Sequence, residues 1–548
     1  MARGESLTIR AILSTASAAS LASILFLILE PPLSILAASS SALVILWFSL
    51  GRTLIKRSLP VIDHDLLYML LHMRSVATGK PPVSALFESV SKDLRNYPSY
   101  SRFMKKIYSL GKEWGYSYSQ ATRIVASGAN NLVLKNLLSR MSGVLAVGED
   151  VETFLEREYK TLMSEYVNVY HRMTNTARVF MGIYVTILGS LIFVLVTFML
   201  MAFFFGGNLA IVASSYMGVG VALVGMLTLL YMLVGKEPFE YYGKPKLLKY
   251  KVVSVAGVIG LAAAIALASL YLVKYNDSFE LTGRGLLLSG LTLLPLGIVA
   301  KRIESAISNV DDFFPIFIRS FGTHLATLPV MVKALEPLLI SQLGRLNTHL
   351  KRLYSRLSNN LKPEAAWRMF AAETGSELVR RAVTIFTDSL KNGGDPEKVG
   401  IMLSDHHNEM IRLRKQRLQV AKTFESTLYL MHAAVVIILV FISKLMLAFS
   451  SILQNIMAQA PEEVLSVFPF QAIDSPYLVT MSIILIVVAS VLNSLAIGRV
   501  MPGARISFFF YFSMLLIISG VSIVLSSRLI DYVLGVALET SETITIYP

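Results

Sequence analysis

The stretch "KNGGDPEKVGIMLSDHHNEM", Lys391 to Met410, carries residue types suited to two kinds of chemistry. Gly393-Gly394 could bare backbone amides to a phosphate. Asp395 and Glu397, followed by His406 and His407, could supply metal ligands. A phosphate loop of the common type needs Gly-Lys followed by Ser or Thr, so that a hydroxyl reaches the magnesium ion. Gly-Lys occurs at 79–80, 111–112, 235–236 and 243–244, but the next residues are Pro81, Glu113, Glu237 and Pro245. On a helix, adjacent histidines point about 100° apart and share one metal poorly. His407 also lies near an apolar line of Leu403, Met410 and Leu418, which favours a packed histidine. Neither H-E-x-x-H nor G-x-S-x-G occurs, and the chain has no cysteine. No catalytic, cofactor-binding or metal-ligating residue is expected, so the stretch reads as a turn between two helices.

The elements around it explain why. Of 548 residues, 54% are apolar and 16% charged, with a mean hydropathy of +0.61, which belongs to a polytopic membrane protein. Crossing a hydrocarbon core takes about 20 apolar residues. Nine runs qualify: 10–29, 33–50, 179–205, 209–234, 252–273, 285–300, 427–449, 476–498 and 506–527. The first is followed at once by the second across Glu30-Pro31-Pro32, so it reads as a span and not as a cleaved signal.

This divides the chain into a leading span pair (1–50), a polar segment (51–178), four spans (179–300), a second polar segment (301–426), and three spans with a short tail (427–548). The polar segments carry 18 Lys/Arg against 11 Asp/Glu and 19 against 13. Threading nine spans alternately puts the excess positive charge, including loops 235–251 and 499–505, on one face. The positive-inside rule makes that face cytoplasmic, with the N-terminus inside and the C-terminus outside. Topology thus accounts for the net charge of +14 without nucleic acid.

Both polar segments read as helical. Leu155, Tyr159, Leu162, Tyr166, Val169 and Met173 form one stripe running into the third span. Pro81-Pro82 suits a helix start. The segments also align with each other. Asn130–Leu155 lies on Ser376–Ile401, pairing Leu132 with Leu378, Gly148 with Gly394, and Glu149 with Asp395. Thr78–Leu86 lies on Thr327–Leu335, three residues out of step with the first match. The expected fold is therefore all-α, with about nine transmembrane helices and two homologous cytoplasmic helical bundles.

Few polar groups enter the spans. Lys444 is placed to snorkel to the outer surface, and His432 lies near the inner end of the same span. Just before that span, "RLRKQR" supplies Arg412, Arg414, Lys415 and Arg417 for anionic headgroups or an acidic protein surface. Small residues in "LAASSSA" and "VAGVIGLAAAIALAS" permit close helix packing, within the chain or in a homodimer.

Two helical domains, each with a Gly-acidic hairpin (Gly148-Glu149, Gly394-Asp395) and each followed by spans, resemble the type II secretion F family. The leading spans and overall length resemble its archaeal branch, the platform protein of the archaellum and of type IV-like pili. "TGKPP" suits the family's G-x-P-type turn, whereas "ATLPV" in the second domain lacks the glycine. The resemblance implies a non-enzymatic platform. A cytoplasmic hexameric secretion ATPase would dock on the two domains, and its motion would drive pilin or archaellin subunits out of the bilayer. Candidate partner contacts are Glu149, Asp150 and Asp395 at the hairpins, and Arg412, Arg414, Lys415 and Arg417 beside the membrane. A secondary transporter is the alternative reading. Its repeat would be expected within the spans rather than in the polar segments.

Overall fold

The computed structural model describes residues 64–92, 97–204, 209–235, 237–241, 248–457 and 475–544. The expected spans at 10–29 and 33–50 lie outside them. Seven helices among the described residues are long and apolar enough to cross a membrane, and they coincide with the third to ninth expected runs. All named elements there are helices, as expected for an all-α polytopic membrane protein.

The first bundle consists of α1 (His64–Ala77), α2 (Val83–Lys92), α3 (Ser101–Lys112), α4 (Tyr118–Ser127), α5 (Leu132–Val147) and the start of α6 (Val151–Phe204). α2 begins directly after Pro81-Pro82. Ser117 and Asn131 cap α4 and α5 by accepting from backbone amides two or three residues ahead. Leu155, Tyr159, Leu162 and Tyr166 are buried as the stripe requires. Beyond them the buried line moves to Tyr170 and Ala177, leaving Val169 and Met173 half-buried. There the neighbours change to Val234 and Gly235 beyond the next helix, and to Arg417.

α7 (Leu209–Leu233) and α8 (Leu248–Lys274) follow in the membrane. α9 (Phe279–Thr327) then runs unbroken from span to second bundle, with Pro295 and Pro315 inside it. That continuity was not expected from the sequence. The second bundle is completed by α10 (Met331–Ile340), α11 (Leu346–Ser358), α12 (Pro363–Thr374), α13 (Glu377–Lys391) and the start of α14 (Pro396–Met457). Its centre is aromatic, with Trp367 among Phe317, Phe321, Phe370 and Phe386 at centroid distances of 5.3 to 6.3 Å. α15 (Ser475–Val500) and α16 (Phe508–Ile544) complete the membrane part.

The bundles repeat one another one residue away from the register read in sequence. α3, α4, α5 and α6 start at 101, 118, 132 and 151, and α11, α12, α13 and α14 start 245 positions later. The glycine in the left-handed region is Gly148 (φ 79°) in one and Gly393 (φ 79°) in the other. Gly148 therefore matches Gly393 rather than Gly394, and Asp150 rather than Glu149 matches Asp395. A helix that ends in this way needs its positive-φ residue immediately beyond the C-cap, and only one of two neighbouring glycines can take that place. Gly394 has another reason to be glycine. A Cβ there would lie 2.8 Å from the Ser389 carbonyl oxygen.

In the membrane part, His432 of α14 is fully buried and bonded from several sides. Its Nε2 lies 2.8 Å from Ser519 Oγ, and its Nδ1 lies 3.1 Å from Asn493 Nδ2. Tyr184 of α6 donates to Asn493 Oδ1 at 2.8 Å. One polar knot thus joins α6, α14, α15 and α16. Lys444 extends toward the exposed Asp531, beyond the last apolar run. It pairs with Asp531 and donates to the Ser527 carbonyl of α16 at 3.2 Å.

Candidate coupling site between the bundles and the membrane helices

Helical geometry splits the "RLRKQR" cluster into two pairs. Arg412 and Lys415 face outward, bonded to Glu409 (2.9 Å) and Asp312 (2.8 Å). Arg414 and Arg417, each about 8% exposed, face inward. The basic patch expected on the surface therefore holds two of its four cations. The other two sit where burying a charge is tolerable only with full pairing.

Arg414 Nη1 donates to Asp311 Oδ2 of α9 at 2.7 Å, and its guanidinium lies 4.9 Å from the Phe239 ring. Glu237 is 3.8 Å from Arg414 and 3.7 Å from Arg417. The other Asp311 oxygen accepts from Ser376, the N-cap of α13. Burial pushes the Asp311 carboxyl above its ordinary pKa, against the opposing pull of Arg414. Burial also works against the Arg414 charge, but the Asp311 and Glu237 carboxylates outweigh it and hold its pKa above the ordinary value.

Arg417 acts differently, because its guanidinium collects backbone carbonyls. It donates to Val500 O at 3.0 Å, Arg499 O at 3.1 Å and Gly235 O at 2.8 Å. These oxygens close the ends of α15 and α7, where unpaired carbonyls and the helix dipole both favour a cation. Residues 237–241 lie against the second bundle. Tyr241 N donates to Gly375 O at 2.8 Å and Glu377 N to Phe239 O at 3.2 Å. One turn of α14 therefore ties together α7, α9, α13 and α15.

The two histidines flank this site on different sides. His407 packs against Phe314, with Nε2 3.9 Å from Asp311 Oδ1. Burial, followed by Arg414, holds its pKa well below the ordinary 6.5. His406 faces the first bundle, with Nδ1 2.8 Å from Tyr159 Oη, and burial lowers its pKa to about 3. Among the described residues no group of three metal-ligating side chains forms.

The hairpin carboxylates serve local structure. Asp150 accepts from Thr153 N at 3.0 Å, and Asp395 accepts from Glu397 N at 3.0 Å, so each opens a long helix. The Asp395 amide donates to Thr78 Oγ1 at 3.1 Å. A Cβ on Gly79 would come within 2.5 Å of the Gly393 carbonyl, so the two bundles meet turn against turn. Glu149 pairs with Arg157.

Sequence reasoning missed Asp311, Ser376, Glu237 and Phe239. Asp311 left a signal, because it falls on the buried line of Ile307, Phe314, Ile318 and Phe321. A carboxylate on an apolar stripe calls for a buried cation. The other three become partners only through the fold.

Residues 69–199 match the family model for type II secretion system (T2SS), protein F. The chain is 27% identical over 355 residues to flagella accessory protein J of Methanocaldococcus jannaschii, covering 63% of each chain. It is 25% identical over 356 residues to flagella accessory protein J of Methanococcus voltae, again covering 63% of each. The matches thus span somewhat less than two thirds of these relatives' length. No solved structure matches the chain. Residues 69–199 are therefore a type II secretion system protein F domain, and the chain is related to the archaeal branch of that family.

Proposed function

We propose that this chain is the membrane platform of an archaellum or type IV pilus-like assembly machine, and that it catalyses no reaction itself. Its two bundles and the N-terminus face the cytoplasm, and its C-terminus faces outward. A cytoplasmic hexameric ATPase docks on the bundles, and the resulting motion passes to pilin or archaellin subunits beside the spans. The observation that carries this reading is mechanical. α6, α9 and α14 each run from bundle to membrane as one helix, and Arg414 and Arg417 fasten α14 to its neighbours at the crossing. A 62-residue helix such as α14 is about 93 Å long and transmits displacement without a flexible linker. The similarity to proteins named flagella accessory protein J supports the same reading.

The test is capture of the secretion ATPase from the same genome by the intact, detergent-solubilised protein at rising salt. The double variant Arg412→Glu/Lys415→Glu alters only exposed cations and leaves the buried pair whole. Binding that weakens with salt and is lost in this variant supports ATPase docking beside the membrane. Binding that survives moves the contact to the turns around Glu149, Asp150 and Asp395. No binding by folded protein overturns the reading.

A further inference from the structure

α6 and α14 come together within their apolar runs, where a Cβ on Gly189 would clash with the Met431 methyl. Nearer the bundles they part around a groove of about 780 Å³. Its walls correspond at the repeat distance of 245 residues, with His171 matching Gln416, Thr174 matching Gln419, Arg178 matching Thr423 and Gly182 matching Thr427. The groove thus lies in the seam between the two repeats.

Its chemistry changes with depth. At the bundle end stand Arg178, His171 and the amides of Asn175, Gln416 and Gln419. No carboxylate lines it, and none of these five side chains has a hydrogen-bond or ion-pair partner among the described residues. Lower down, Met181, Val185 and Phe424 form an apolar floor. Arg178 immediately precedes the apolar run beginning at 179, so the cationic mouth lies at the depth of the lipid headgroups.

We propose that this groove binds one anionic phospholipid from the leaflet on the bundle side. The phosphate sits against Arg178, His171 and the amides, and an acyl chain descends past Gly182 and Phe424. Charge complementarity selects the occupant. A phosphate brings the acceptors that five unpaired donors lack, and a basic pocket between membrane helices is suited to such headgroups. The lipid would fill the seam between α6 and α14, two of the three helices that join the bundles to the membrane. The inference stands whether or not the chain serves an assembly machine.

The experiment is native mass spectrometry of the intact protein in neutral detergent, titrated with dioleoyl phosphatidylglycerol or with dioleoyl phosphatidylcholine. One phosphatidylglycerol should remain bound per chain, with phosphatidylcholine far weaker. Arg178→Gln should weaken retention about tenfold, the usual worth of a charged hydrogen bond. Gly182→Leu should do the same by filling the floor. A side chain there meets open space, so the fold tolerates it, and an unchanged melting temperature checks this. Arg172→Gln and Lys422→Gln, exposed cations outside the groove, should change nothing.

Equal retention of phosphatidylcholine overturns the proposal, as does undiminished binding in either groove variant. Displacement by millimolar inorganic phosphate would reassign the mouth to a soluble anion. A dimer mass that halves in Gly182→Leu would reassign the groove to a second copy.

Discussion

At the scale of single residues, the weight falls on Asp311 and Arg414. Removing Arg414 leaves the buried Asp311 carboxylate without its paired cation, which costs about 3–5 kcal/mol. Arg414→Ala should therefore lower the melting temperature sharply, while Lys415→Ala, on the exposed side of the same turn, should cost under about 1 kcal/mol. Thermal unfolding of the two variants in one detergent makes the comparison. The double change Asp311→Asn/Arg414→Gln should cost less than the sum of its single changes, because neither charge is left alone. The buried histidines give a pH dependence with a definite sign. His406 has a pKa of about 3 in the folded protein against 6.5 unfolded. Between those values the unfolded chain binds the additional proton, so stability falls as pH drops below 6.5. One such histidine removes about 2 kcal/mol between pH 7 and 5. The melting temperature should fall over that interval, and His406→Gln should flatten the slope. A slope unchanged in His406→Gln would place the titration elsewhere.

At the scale of elements, the sequence carried the helices well and their register less well. Seven spans, the helix start after Pro81-Pro82 and the stripe through Tyr166 follow from apolar run length, proline chemistry and a 3.6-residue period, which are local properties. The Gly148 match slipped by one, since two glycines stand together at 393–394 and letters alone do not say which one turns left-handed. The bonding around Arg417 was not legible, because its acceptors at 235 and 500 are brought beside it only by tertiary packing. The corrected register has a measurable consequence. Gly148 and Gly393 share a φ of 79° with open space around a new Cβ, so alanine at either should cost about the same, roughly 1–2 kcal/mol. Continuity of α14 can be tested separately. Ser426→Pro removes one backbone bond at an exposed position between bundle and membrane, at about 3 kcal/mol. If that helix carries the motion, filament assembly scored by electron microscopy should fail in Ser426→Pro while ATPase capture persists. Normal assembly on the kinked helix would remove α14 as the transmitter.

At the scale of the whole molecule, the two bundles are packed as one body. Their apolar residues form a single continuous core, and polar bonds cross between them at several heights. His72 meets Asp388 at 2.8 Å, Arg381 meets Asp65 at 2.7 Å, and Lys398 meets Glu152 at 3.1 Å. Arg381 also lies over the Tyr68 ring at 4.9 Å. Sliding one bundle past the other would break these contacts together and expose apolar core, whereas tilting both as a unit strains only the three helices leading into the membrane. Rigid-body motion of packed units about an interface is the less costly mode. The absence of native cysteine makes the distinction accessible, since Glu152→Cys/Lys398→Cys introduces the chain's only thiols, one on each bundle. Bridging them with a short bismaleimide should leave filament assembly at the level of the unbridged double variant. Loss of assembly on bridging, with the unbridged variant active, would show that the bundles must part, and the tilt of a single body would then be the wrong motion.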